Sequence, residues 1–105
     1  MIIDARTYTL LPRKLATYLA AFEADGLPAM ERHGLELVGY HTSVIGQQNQ
    51  VTHIWRYASL ADMEAKRAAR DADPQWADFQ AKTEGLALLQ ENRVLKPVPF
   101  SPDFE

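Results

Sequence analysis

The chain has no cysteine among its 105 residues. That excludes disulfides, thiolate nucleophiles and cysteine-held zinc or iron–sulfur centres, and it fits a reducing compartment. A basic surplus is also missing, since eleven Lys and Arg face fourteen Asp and Glu for a formal charge of −3. Without a positive field to grip a phosphate backbone, nucleic acid is not an expected partner. The start of the chain, Met1 to Arg6, carries Asp4 and Arg6. It offers neither an apolar signal core nor a membrane span, so the expectation is a cytoplasmic protein with no membrane partner. Glycine is scarce, at five residues. Gly46 stands alone rather than in a phosphate-binding loop, and there is no Gly-x-Ser-x-Gly elbow. His33, His41 and His53 share no metal-ligand spacing, so neither a metal nor another cofactor is expected.

What is present is ordinary globular material, 47% hydrophobic and 24% charged. At this length the expectation is one domain over residues 1–105, with 97–105 as an extended proline-containing tail. So small a chain buries only about two thirds of its unfolded surface, and pairing with a copy would add to its stability.

Ile2 to Leu11 mixes β-branched and aromatic residues and ends at Pro12, which predicts a strand leading into a helix. Leu15, Tyr18, Leu19 and Phe22 follow the i, i+3, i+4, i+7 spacing of an amphipathic helix. Gly26 and Pro28 should break or kink it, and Gly34 should close a last turn. Leu35–Ile45 and Gln50–Tyr57 read as a hairpin across the polar Gly46–Asn49 connection. Ser59-Leu60-Ala61-Asp62 is a capping box for a helix reaching Ala72, and Asp73-Pro74 caps and starts another, with Trp76, Phe79 and Leu86 on its buried side. Leu88–Lys96 reads as a last strand.

The order is β-α-β-β-α-β with the second helical region split. It predicts an α+β, ferredoxin-like domain in which helices cover one face of a four-stranded antiparallel sheet and leave the other open. The third strand puts Val51, His53, Trp55 and Tyr57 on one face and Thr52, Ile54 and Arg56 on the other. Neither face is purely polar, so a second copy is expected to cover the open one.

Six residues are candidates for ligand binding. His53, Trp55 and Tyr57 share a face on which an imidazole beside aromatic rings either orients a flat ligand or is simply a hydrogen-bonded part of the core. Arg67 lies four residues after Met63 and seven after Leu60, on the stripe facing the sheet, where it needs either a carboxylate (Asp4, Glu64 or Glu91) or an anionic ligand. Arg6 and Tyr8 either line the same cavity or sit at a dimer seam. Gln90 and Asn92 send amides to one face, and Glu91 and Arg93 send charges to the other. Amides facing a barrel interior suit bonds across subunits as well as to a ligand.

Arg6-Thr7-Tyr8-Thr9-Leu10, Leu37-Val38-Gly39-Tyr40, His53-Ile54-Trp55-Arg56-Tyr57 with Ser59-Leu60-Ala61-Asp62, Asp73-Pro74-Gln75-Trp76, and Gln90-Glu91-Asn92-Arg93 with Pro99-Phe100-Ser101-Pro102 together resemble the NIPSNAP family, in order and over nearly the whole chain. Arg13 departs from the family pattern, where a Pro-Gly turn is usual. The resemblance implies a dimeric α/β barrel, hence a homodimer or higher homo-oligomer, but no agreed catalytic residue. It implies a small-molecule-binding or scaffold protein. The same barrel serves cofactor-independent monooxygenases and haem-handling enzymes, and in that alternative His53 would act as acid/base or axial ligand and Arg67 would hold a carboxylate or propionate. The tail is expected to lie across the domain or its partner, anchored by Phe100.

Overall fold

A computed structural model describes all 105 residues. Strands β1 (Ile2–Leu10), β2 (Glu36–Thr42), β3 (Gln50–Tyr57) and β4 (Ala87–Leu95) form one sheet in the order β2-β3-β1-β4, every neighbouring pair antiparallel. Helices α1 (Leu15–Ala21) and α2 (Leu27–Arg32) follow β1, and α3 (Leu60–Asp71) and α4 (Pro74–Thr83) follow β3. This is the expected α+β, ferredoxin-like arrangement.

Gly26 and Pro28 do not break the first helical segment. Between α1 and α2 the chain widens into a π-turn, Phe22–Gly26, with the Leu27 N–H donating to the Phe22 carbonyl. The wider turn absorbs the missing proline N–H without ending the helix. Gly26 is needed there for space, because a Cβ would stand 2.6 Å from Phe22 Cδ2 and 3.2 Å from Phe79 Cδ1. The segment ends as expected at Gly34, φ +78°. Gly34 N–H donates to Glu31 and Leu35 N–H to Met30, closing a Schellman cap over the buried Met30 and Leu35.

The other helix starts follow their caps. Ser59 Oγ accepts from Asp62 N–H at 3.0 Å, and the Asp62 carboxylate reaches back to Ala58 N–H. Asp73 Oδ1 accepts from Gln75 N–H at 2.9 Å with Pro74 in the first turn. Its other oxygen receives Arg32 and His33, tying the end of α2 to the start of α4.

The core lies between helices and sheet, where Leu10, Val51, Trp55 and Tyr57 meet Tyr18, Phe22, Ala29, Trp76 and Phe79. The molecule is a slab of 41 × 35 × 18 Å, one sheet and one helical layer thick. It exposes 6,616 Å², against about 5,900 Å² for a typical folded monomer of this mass. The excess sits partly on β4, where Leu88, Leu89, Val94 and Leu95 are all exposed. The tail turns back so that Glu105 Oε1 lies 3.8 Å from Arg56 Nη1. Phe100, expected as its anchor, is 90% exposed within this chain.

Candidate functional site

The register of β1 against β3 decides which face carries the candidates. Asp4 stands opposite Trp55, Arg6 opposite His53 and Tyr8 opposite Val51, so all lie on the helix-covered face. Arg6 and Tyr8 therefore line the cavity rather than a seam on the open face. On β4, Gln90 and Asn92 pair with Tyr8 and Arg6 on that same side, and Glu91 and Arg93 pair with Thr7 and Ala5 on the open side. The amides thus lie on the helix-covered face and not on the open one.

A line of hydrogen bonds runs along β1. Asp4, fully buried, accepts from Arg6 Nε at 2.7 Å and from Asn92 Nδ2 at 3.3 Å, and Arg6 Nη1 donates to Tyr8 OH at 3.3 Å. Burial pulls the Arg6 pKa down, but the bonds to Asp4 and Tyr8 more than reverse this and hold it above its ordinary value. Both oxygens of the buried carboxylate are thus met by Arg6 and Asn92, and Arg67 is not among its partners.

His53 sits at the centre, 3% exposed. Tyr40 stacks on it at 4.7 Å with ring planes 8° apart, and Tyr8 packs edge-on at 4.8 Å. A bulge between Leu37 and Gly39 places Tyr40 opposite His53 and His41 opposite Thr52, so the two histidines face opposite sides of the sheet. The indole N–H of Trp55 donates to His53 Nδ1 at 2.6 Å. Indole nitrogen is only ever a donor, so Nδ1 carries no proton and the neutral ring holds its proton on Nε2. Burial, reinforced by the charges of Arg6 and Arg67 and opposed by Asp4, lowers the His53 pKa to about 4. His53 Nε2 has no partner within the protein.

His53 lines a pocket of about 190 Å³ between sheet and helices. Its sheet wall includes Arg6, Tyr8, His53, Trp55 and Tyr57, and α3 and α4 contribute Arg67, Arg70, Trp76 and Phe79. All six sequence candidates meet there. Larger depressions of about 450–500 Å³ lie on the open sheet face and beside α3, but they are shallow and gather no comparable set of groups. Tyr57 OH and Trp76 Nε1 are, like His53 Nε2, buried without partners. Burial raises the Tyr57 pKa, with Arg67 drawing it partly back, so its phenol stays protonated.

None of the carboxylates proposed for Arg67 is within ion-pairing distance. Asp4 is held by Arg6, Glu91 faces the open side, and Glu64 is exposed. Arg67 is a half-buried cation without an ionic partner.

Sequence reasoning missed Arg70, buried with its Cζ 4.2 Å from the Trp76 ring centroid and Nη2 2.7 Å from Asp71 Oδ1. The signal was present, since position 70 extends the stripe of 60, 63 and 67. Burial and the nearby Arg67 charge lower its pKa, with Asp71 opposing them. Tyr40 was missed as well, because only the bulge gives it that position.

One role considered for His53 does not fit this geometry. Its acceptor nitrogen is occupied by Trp55, so the neutral ring donates and cannot remove a proton.

A family model described as NIPSNAP matches residues 3–102. The chain belongs to the NIPSNAP family. The crystal structure of a NIPSNAP family protein from Agrobacterium tumefaciens superposes with a TM-score of 0.90 at 40% identity, covering 97% of this chain and 92% of that one. A NIPSNAP domain protein from Burkholderia xenovorans gives 0.91 at 30%, covering 98% and 100%. A putative NipSnap protein of Caenorhabditis elegans is 29% identical over 95% of this chain. The chain spans only 19%, 26% and 35% of the lengths of the curated NipSnap relatives it matches. A putative antibiotic biosynthesis monooxygenase from Nitrosomonas europaea, at TM-score 0.69 and 8% identity, shares the fold alone.

Proposed function

We propose that this NIPSNAP protein is a homo-oligomeric binding protein that takes one small molecule per chain between its helices and sheet, with Arg6, Tyr8, His53, Trp55, Tyr57 and Arg67 as the binding residues. One observation carries the reading: of the five buried side-chain polar atoms without partners, three, on His53, Tyr57 and Trp76, belong to residues lining one pocket. Buried donors without partners cost about 1–3 kcal/mol each, a cost a ligand would remove.

The homo-oligomer is supported by the excess surface and by the exposed leucines and valine of β4. The cytoplasm is the compartment that a cysteine-free chain best fits. No helix is long and apolar enough to cross a membrane. Native mass spectrometry of protein purified without denaturation tests the binding reading. The expected result is a substoichiometric small molecule that is lost in His53→Leu. A clean apo mass, together with no melting shift across a small-molecule panel, would contradict it.

A further inference from the structure

Resting on that reading, we infer that the ligand is a small planar carboxylate, an aromatic acid whose ring lies among the pocket aromatics and whose carboxylate meets Arg67. The inventory of groups points one way. Arg67 has no ionic partner, and Arg70 beside it is paired on one side to Asp71 and faced on the other by Trp76. His53 offers Nε2–H because Trp55 occupies Nδ1. Trp76 Nε1 can only donate, and Tyr57 OH, with Arg67 as its one polar neighbour, still has its proton to give. Asp4, the buried carboxylate of this face, is engaged by Arg6 and Asn92. The pocket therefore presents surplus positive charge and unused donors, with no carboxylate free to meet a cation.

The fork of a guanidinium matches a carboxylate through two parallel bonds. Trp76 and Phe79, with ring centroids 4.8 Å apart, form one wall, and Trp55 and Tyr57 contribute to another. A bare inorganic anion would leave those rings uncovered. A volume of about 190 Å³ limits the guest to roughly one ring and its substituent.

The test compares benzoate, benzamide and benzylammonium, three molecules of nearly one shape, by calorimetric titration into the intact protein. Benzoate should bind at least about tenfold more tightly than benzamide, as one charge-assisted bond is worth, and benzylammonium should give no heat. Arg67→Met keeps the stem and removes a charge that has no carboxylate partner and reaches only the Tyr57 hydroxyl, so the fold should survive by circular dichroism. It should weaken benzoate at least about tenfold and benzamide by much less, since only benzoate loses a charge-assisted bond. Benzamide binding as tightly as benzoate in the wild type would overturn the carboxylate and leave the pocket reading standing. If none of the three binds, the aromatic-acid assignment falls, and the pocket reading then stands or falls by the native mass and the melting panel. Unchanged benzoate affinity in Arg67→Met would place the anion elsewhere and overturn the assignment.

Discussion

Trp55 donates its indole N–H to Nδ1 of His53 across 2.6 Å, within one strand and at zero net charge. Residues i and i+2 of a strand share a face, which is what brings the indole of Trp55 within reach of His53. It sets the tautomer of a ring that burial keeps neutral, and it leaves that ring's remaining N–H without a partner in the protein.

Trp55→Phe retains most of the buried ring and removes the donor. It should destabilise the protein by about 1–3 kcal/mol, the cost of an unmet buried acceptor plus lost volume. In ¹⁵N NMR the single Nε2–H tautomer of His53 should give way to a mixture. A wild-type-like tautomer in the variant would show that something other than Trp55 sets it.

Stability should fall as acid is added well before the carboxylates titrate. The folded pKa of His53 is about 4, below the ordinary 6.5, so the unfolded chain binds the extra proton first. The groups acting on the ring are Arg6, Arg67 and Asp4, with Tyr8 and Tyr40 packed on it. The contribution is complete above pH 6.5 and is lost as pH falls through 4, up to about 3 kcal/mol at roughly 1.4 per unit. His53→Gln should flatten urea-denaturation stability over that window. An unchanged slope would mean that His53 is not the group responsible.

Asp73 adds a second, lower window. Its bonds from Gln75 N–H, Arg32 and His33 lower its pKa to about 2, so its support for the α2–α4 junction is lost as pH falls from 3.8 through that value. Asp73→Ala also removes a helix cap and should cost about 1 kcal/mol or more near neutral pH, read from the denaturation midpoint.

Arg13 takes φ +66°, the left-handed conformation that glycine adopts without a Cβ clash. The residue that departs from the family pattern is thus held in the backbone state for which the pattern supplies glycine. Arg13→Gly should stabilise the protein by about 0.5–1 kcal/mol, the relieved clash less the added freedom of the unfolded chain. A lower melting temperature would contradict it. Gly26→Ala should act in the opposite direction, by about 1–3 kcal/mol, because its Cβ has no room beside Phe22 and Phe79.

The strands and their faces were legible because β3 alternates without interruption: Val51, His53, Trp55 and Tyr57 are all buried, and the residues between them are not. The helix starts were legible from Ser59 and Asp73. Less visible was anything set by register. Whether Arg6 faces cavity or seam depends on its pairing with His53, and the stack of Tyr40 depends on a one-residue bulge. The π-turn was hidden because glycine and proline signal a break locally, whereas packing of Phe22 on Phe79 keeps the helix running. Arg67 was placed on the right face, but its expected partner Asp4 had already been taken by its own strand neighbour.

Everything proposed for this site requires that the pocket around His53 receives a ligand. The decisive measurement is a chemical-shift map of the ¹⁵N-labelled protein titrated with benzoate, including the His53 side chain. The prediction is that His53 Nε2–H and the indole of Trp76 move together and saturably with Arg67. Perturbations confined to the open face, at Thr7, Ile54 and Arg93, with His53 unmoved, would contradict it.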